Sequence, residues 1–145
     1  MPEIYVLNGP NLNLLGSREP EVYGTMTLSD LTQRLEHWAE QNNTKISVHQ
    51  TNSEDELIGS IHSAISEKAA IVLNPAAFTH YSYALRDACA AHTGSGLKLI
   101  EVHITNPHSR EEFRHNSVIS GVATGVIAGF GMDSYLLALE ELTRD

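Results

Sequence analysis

Two short spacings in this 145-residue chain hold groups able to move protons. In the first, Arg18 and Tyr23 stand in a Gly- and Pro-bounded stretch, residues 7–24. A free phenol has a pKa of about 10 and is a weak base at neutral pH, but a guanidinium nearby stabilises the phenolate. In the second, Glu101 precedes His103 by two positions at the end of an apolar run, so both side chains leave the same face of a strand. A carboxylate beside an imidazole fixes its tautomer and favours the protonated ring, which suits a general acid. Each pair also has an ordinary structural reading. One is a surface arginine stacked on a loop aromatic, the other a histidine hydrogen-bonded at a strand end.

Asn11, Asn74, His80, Thr105 and Arg114 could hold hydroxyls and a carboxylate, the guanidinium acting as a fork. Taken singly, asparagines after strands are common turn and capping residues. The histidines at 37, 49, 62, 92, 108 and 115 read as solvated helix or loop positions, and no H-x-x-x-H or C-x-x-C spacing supports a metal site. Gly129-x-Gly131-x-x-Ser134 lacks the third glycine of a dinucleotide fingerprint and the acidic residue that should follow it, so it reads as close packing. No Walker A, G-x-S-x-G or EF-hand pattern occurs. Cys89, between Ala88, Ala90 and Ala91, reads as a packing residue, and a lone cysteine suits a reducing cytosol. The expected location is therefore cytoplasmic. Asn42-Asn-Thr44 matches a glycosylation sequon, but nothing accompanies it that points to secretion.

The elements that must position these groups follow from periodicity. Hydrophobic content of 41% and charged content of 19% indicate one soluble globular domain, residues 1–145, and argue against disorder. A net charge of −9 speaks against nucleic acid and anionic membranes as partners, while a local arginine cluster could still take an anionic small molecule. No window has the length of a transmembrane helix. Strands are expected at residues 4–7, 45–50 (an edge strand), 69–74, 97–103 and 122–128. Helices are expected from Thr27 to about Asn43, after Ser53, from Tyr83 to about His92, over the short polar run 109–114, and from Asp133 to Leu142. Strand and helix alternate five times, which predicts a parallel sheet covered by helices on both faces. In such sheets ligands bind beyond the C-terminal strand ends, where Asn11, Arg18, Tyr23, Asn74, His80, His103, Thr105 and Arg114 all fall.

Several motifs in order resemble the type II 3-dehydroquinate dehydratase family over essentially the whole length. They are Leu7-Asn-Gly-Pro-Asn-Leu-Asn-Leu-Leu-Gly16, Arg18-Glu-Pro20 with Tyr23-Gly24, Asn74-Pro75 with Thr79-His80, Glu101-Val-His103-Ile-Thr-Asn106, Arg110-Glu-Glu-Phe-Arg114 and Gly125-Val-Ile-Ala-Gly-Phe-Gly131. The resemblance implies a flavodoxin-like three-layer sandwich and a shikimate-pathway or quinate-metabolism enzyme. It also implies anti elimination of water from 3-dehydroquinate through an enolate, with no cofactor, Schiff base or metal. Tyr23 is then the base, Arg18 keeps it ionised and closes with its loop, and Gly16 and Gly24 serve as hinges. His103 is the acid with Glu101 behind it, and Asn11 holds a water against the enolate oxygen. Asn74, His80, the Ile104–Thr105 backbone and Arg114 bind hydroxyls and carboxylate. Asp87 reaches a neighbouring subunit's site in a dodecamer, a tetramer of trimers.

Thr105 departs from a more usual serine, and Ala76 and Phe78 stand where the family often has Gly and Tyr. The chemistry fits the residues: a carbon acid needs a strong base, and a poorly leaving hydroxyl needs an acid. The competing expectation is a non-catalytic flavodoxin-like module that binds a nucleotide or flavin through its Gly-rich turns. A hydrolase lacks a nucleophile with an adjacent base.

Overall fold

The computed structural model describes residues 3–144. Five strands form one parallel sheet: β1 (Glu3–Asn8), β2 (Lys45–Gln50), β3 (Ala70–Asn74), β4 (Leu99–His103) and β5 (Gly125–Ala128), in the order β2-β1-β3-β4-β5. A one-turn helix, α1 (Pro20–Tyr23), precedes four longer ones: α2 (Leu28–Gln41), α3 (Glu54–Glu67), α4 (Tyr83–Gly94) and α5 (Asp133–Thr143). The chain leaves β1 toward β2 on one side and returns to β3 on the other, the doubly wound order of flavodoxin-like folds.

The apolar runs explain the layers. In a strand, successive side chains face opposite sides, so a central strand buried on both faces must be apolar throughout. Ile4, Val6, Val72, Ile100 and Val102 pack with Leu31 and Leu35 of α2 and Tyr135 and Leu139 of α5. Their neighbours Tyr5, Leu7, Ile71, Leu73 and Leu99 pack with Leu57 and Ile61 of α3 and Leu85 and Cys89 of α4. Burial pushes the Cys89 thiol up to about 12, which leaves it a packing residue. The helix starts follow their caps. Thr27 and Asp30 exchange both bonds of a capping box at 3.1 Å, and the Ser53 hydroxyl accepts from the Glu56 N–H at 3.2 Å. The Glu56 carboxylate, however, turns back to the Thr51 hydroxyl at 2.6 Å.

Four expectations shift. The fifth strand begins at Gly125 instead of Val122, because the Val122 and Ala123 N–H groups turn back to the Ile119 carbonyl. The polar run at 109–114 forms two 3₁₀ turns, Pro107–Ser109 and Glu112–His115, instead of one helix. The helix expected to end near His92 continues through Gly94. His92 is fully buried, not solvated: it ends α4 with one ring nitrogen 2.7 Å from the Ala69 carbonyl.

At the C-terminal edge of the sheet, Asn8 stands level with Gln50 on one side and Asn74 on the other. The Gly9 N–H donates to the Asn74 carbonyl at 2.8 Å, and a Cβ at Gly9 would lie 2.6 Å from the Pro75 oxygen. Only glycine lets β1 and β3 end that closely. The buried His92 has a consequence for stability. Burial lowers its pKa, so the folded chain holds it neutral while the unfolded chain binds a proton below the ordinary histidine range. The stabilisation is complete above that range and is lost as pH falls through the folded value. Lowering the pH from about 7.5 to about 5 is expected to depress the melting temperature, and His92→Gln to flatten that dependence. An unchanged slope in the variant would remove His92 as a source of acid lability.

Candidate active site

The cleft that gathers the reactive groups opens above the ends of β1, β3 and β4, at the point where strand order reverses, with about 570 Å³ of open space. Its walls come from the loop after β1 (Asn11, Arg18, Tyr23), the turn after β3 (Asn74, Ala76, His80), the end of β4 (His103, Ile104, Thr105) and the segment beyond it (Arg110, Arg114). The β1 loop is more structured than its lack of periodicity suggests. Leu12 and Leu15 are buried in the α2/α5 core, and the chain turns at Asn11 (φ 70°) and Glu19 (φ 40°) in the left-handed region. Beyond them α1 contributes no fully buried residue, and Arg18 and Tyr23 line the cleft, with Tyr23 packed part-buried against the same core.

Tyr23 is half-buried, and its phenol oxygen accepts a 2.7 Å hydrogen bond from Nη1 of Arg110. Arg18 lies over the ring, its guanidinium carbon 5.4 Å from the ring centre, with Nε 3.5 Å from Glu19. The guanidinium touching the oxygen is thus Arg110, a residue not singled out for a role from sequence. Arg110 also stacks on the same ring at 5.1 Å, and its side chain is 13% exposed. Arg110 lies in extended backbone between two 3₁₀ turns, so no helical or strand spacing marked it in the sequence.

His103 pairs with Glu101 across 2.5 Å, Nε2 to Oε2, with the carboxylate 1% exposed. A buried carboxylate needs further partners. Ser120 donates to Oε1 at 2.8 Å, and the Ser117 hydroxyl lies 3.4 Å from both oxygens. Ser117 also accepts from the Ile119 and Ser120 N–H groups, which pins the segment. Neither serine carried a signal in sequence, because the 117–120 run has no helical or strand periodicity. The arrangement holds Nε2 on the carboxylate and leaves Nδ1 as the nitrogen free for a ligand.

The remaining expected binding groups divide. Asn11 lines the cleft, and its carboxamide makes no hydrogen bond among the described residues. His80 places one ring nitrogen, Nδ1, 2.7 Å from the Asn116 carbonyl, so Nδ1 carries the proton and Nε2 is left to accept. Burial lowers the His80 pKa, and the nearby Arg114 charge adds to this against the opposing effect of the Asn116 bond. Asn74 is buried and already bonded through both ends of its amide, to the Tyr135 hydroxyl and the Ala76 N–H. Arg114 lines the cleft while its Nε donates to Glu111 at 3.0 Å. The Thr105 hydroxyl sits 3.5 Å from Arg110. Asp87 stands apart: it is exposed on α4, paired with its neighbour Arg86 at 3.0 Å, and does not line the cleft of its own chain. Among the described residues no group of His, Cys, Asp and Glu is close enough to hold a metal ion, and no helix is long and apolar enough to cross a membrane.

Residues 2–143 match the family model described as dehydroquinase class II. A 3-dehydroquinate dehydratase from Bacillus licheniformis is 57% identical over 139 residues, covering 96% of this chain and 94% of the relative. One from Salinispora tropica is 52% identical, covering 96% and 95%. Among solved structures, the type II dehydroquinase from Propionibacterium acnes superposes with a TM-score of 0.95 at 46% identity, covering all of this chain and 98% of the other. That from Butyrivibrio crossotus gives 0.95 at 42%, covering 99% and 98%.

Proposed function

The chain belongs to the dehydroquinase class II family, and from that premise we propose that it is a hydro-lyase dehydrating 3-dehydroquinate reversibly to 3-dehydroshikimate in the shikimate pathway. The observation that carries the reading is one cleft holding a phenol bonded to a guanidinium and an imidazole bonded to a buried carboxylate. Family membership displaces the nucleotide- or flavin-binding alternative.

Tyr23 takes the proton from the carbon beside the ketone. A cationic donor on its oxygen stabilises negative charge there, so Arg110 supports the ionised phenol from the front and Arg18 from above the ring. The resulting enolate needs a partner on its oxygen, and a water held by the free Asn11 carboxamide would supply it. His103 then gives the Nδ1 proton to the departing hydroxyl, which leaves as water; Glu101 steadies the cationic ring before the transfer and holds the neutral ring by its Nε2–H afterwards. Removing the proton and the hydroxyl from opposite sides makes this an anti elimination. His80 Nε2, Asn74, Thr105, the Ile104 backbone and Arg114 hold the substrate's hydroxyls and carboxylate. Three of the chain's cations, Arg18, Arg110 and Arg114, meet in this cleft, which offsets a net charge of −9 that would otherwise repel an anionic substrate. The flap from Arg18 to Tyr23, bounded by Gly16 and Gly24, closes over bound substrate and delivers the base. The ketone acidifies the carbon, so the steps need no cofactor.

The protein works in the cytoplasm as a dodecamer built of trimers, with Asp87 entering a neighbour's cleft. Its exposure and its distance from its own chain's cleft support that reading. Light scattering after size exclusion is expected to give the large assembly; a stable monomer with full activity would rule out a role for Asp87 across subunits. Adding 3-dehydroquinate to the protein is expected to raise conjugated-enone absorbance. Tyr23→Phe is expected to lower turnover by at least about 10²-fold, the lower end of what general bases contribute, while substrate still binds. Near-normal turnover in that variant would mean that another group is the base.

A further inference from the structure

A chain of buried hydrogen bonds runs from the last helix to the floor of the cleft. The Tyr135 hydroxyl on α5 donates to Asn8 Oδ1 at 2.6 Å and accepts from Asn74 Nδ2 at 2.9 Å. Asn8 Nδ2 in turn donates to the His49 carbonyl at 3.1 Å, and Asn74 Oδ1 accepts from the Ala76 N–H at 3.1 Å. Tyr135 and Asn8 have no exposed surface, and Asn74 has 3%.

The polarity of this chain is fixed at both ends by backbone. A carbonyl can only accept, so Asn8 must turn its NH₂ toward His49 and its oxygen toward Tyr135. The phenol must therefore donate to Asn8 and accept from Asn74. That leaves Asn74 Oδ1 for the Ala76 N–H, which can only donate. Each link forbids the flipped amide of the next. Ala76 is itself held at φ 52°, a left-handed conformation that costs an alanine about 1 kcal/mol or more and persists only when its surroundings impose it. Ala76 opens the turn that ends at His80, and both line the cleft. Burial keeps the Tyr135 phenol neutral by raising its pKa, so the donor does not titrate away.

We propose that Tyr135 is a positioning residue for substrate binding. Through the buried bonds to Asn8 and Asn74 it fixes which edge of the Asn74 amide faces the cleft and so leaves one Asn74 N–H as a donor for the substrate. The proposal rests on the dehydratase reading of the cleft and assigns a task to a residue that touches no substrate. It separates two of the chain's phenols by environment: Tyr23, flanked by guanidiniums, handles the proton, and Tyr135, bonded to two buried amides, handles orientation.

Tyr135→Phe keeps the ring and removes only the hydroxyl. With one ordered donor lost, KM for 3-dehydroquinate is expected to rise about 5- to 10-fold, the factor that a net hydrogen bond represents, while kcat stays within about 2-fold. The pH–rate profile should keep its shape. In an Asn74→Ala background the same change should leave KM where Asn74→Ala alone puts it, because the two residues act as one unit. Asn8→Ala, which strips the acceptor that anchors the phenol, should reproduce the KM rise by a second route if Tyr135→Phe does not fold. Unchanged KM in both single variants, or an equal KM increment with and without Asn74, would overturn the proposal. Failure of the native chain to produce the enone would count against the dehydratase reading itself, so the two outcomes are distinguishable.

Discussion

A guanidinium on a phenol oxygen is the contact around which the rest of this cleft is arranged. Arg110 and Tyr23 come from segments 87 positions apart, one after β4 and one in the flap after β1, and meet at 2.7 Å. Neither residue is held there by its own secondary structure. The Arg110 segment is two short 3₁₀ turns, and the Tyr23 turn buries none of its residues. The charge pattern is therefore part of what closes the site: the two segments are drawn together by a cationic donor and an aromatic acceptor, with a second cation stacked over the ring.

That contact is useful only because the opposite wall is rigid. His103 ends a fully buried strand, and its carboxylate partner is surrounded by two serines, so the imidazole has little freedom. Beneath them, Asn8, Tyr135 and Asn74 form a satisfied polar network at the edge of an otherwise apolar core. Buried amides and a phenol are costly when unpaired, but with every link made they specify one arrangement. In the proposed mechanism, the segment carrying Tyr23 thus meets a fixed wall carrying His103.

Much of this was legible in the sequence, for physical reasons that differ by residue. The central strands were readable because burial on both faces demands uninterrupted apolar runs, as in residues 69–74, and two helix starts because Thr27 and Ser53 cap with side chains. Glu101 and His103 were readable as a pair because a strand alternates faces. Arg110 was not, since its partner lies in another loop and its own segment follows neither period. Ser117 and Ser120 were invisible for the same reason. His92 misled because a histidine near a helix end usually faces solvent; here the Ala69 carbonyl gives one ring nitrogen a partner, and tertiary packing decided. Asn74 was read as facing ligand, yet most of its capacity goes to Tyr135 and Ala76, which local sequence cannot reveal.

The central claim is a division of labour, with Tyr23 as the base on carbon and His103 as the acid on the leaving hydroxyl. Hydrogen exchange into the substrate in deuterated water, followed by mass spectrometry or NMR, tests it directly, because carbon–hydrogen cleavage is then read without completed elimination. In His103→Ala the account predicts deuterium at the carbon beside the ketone with little product, since the enolate still forms but the hydroxyl cannot leave. In Tyr23→Phe it predicts neither exchange nor product. Exchange that persists in Tyr23→Phe, or that disappears in His103→Ala while Tyr23 is intact, would contradict it.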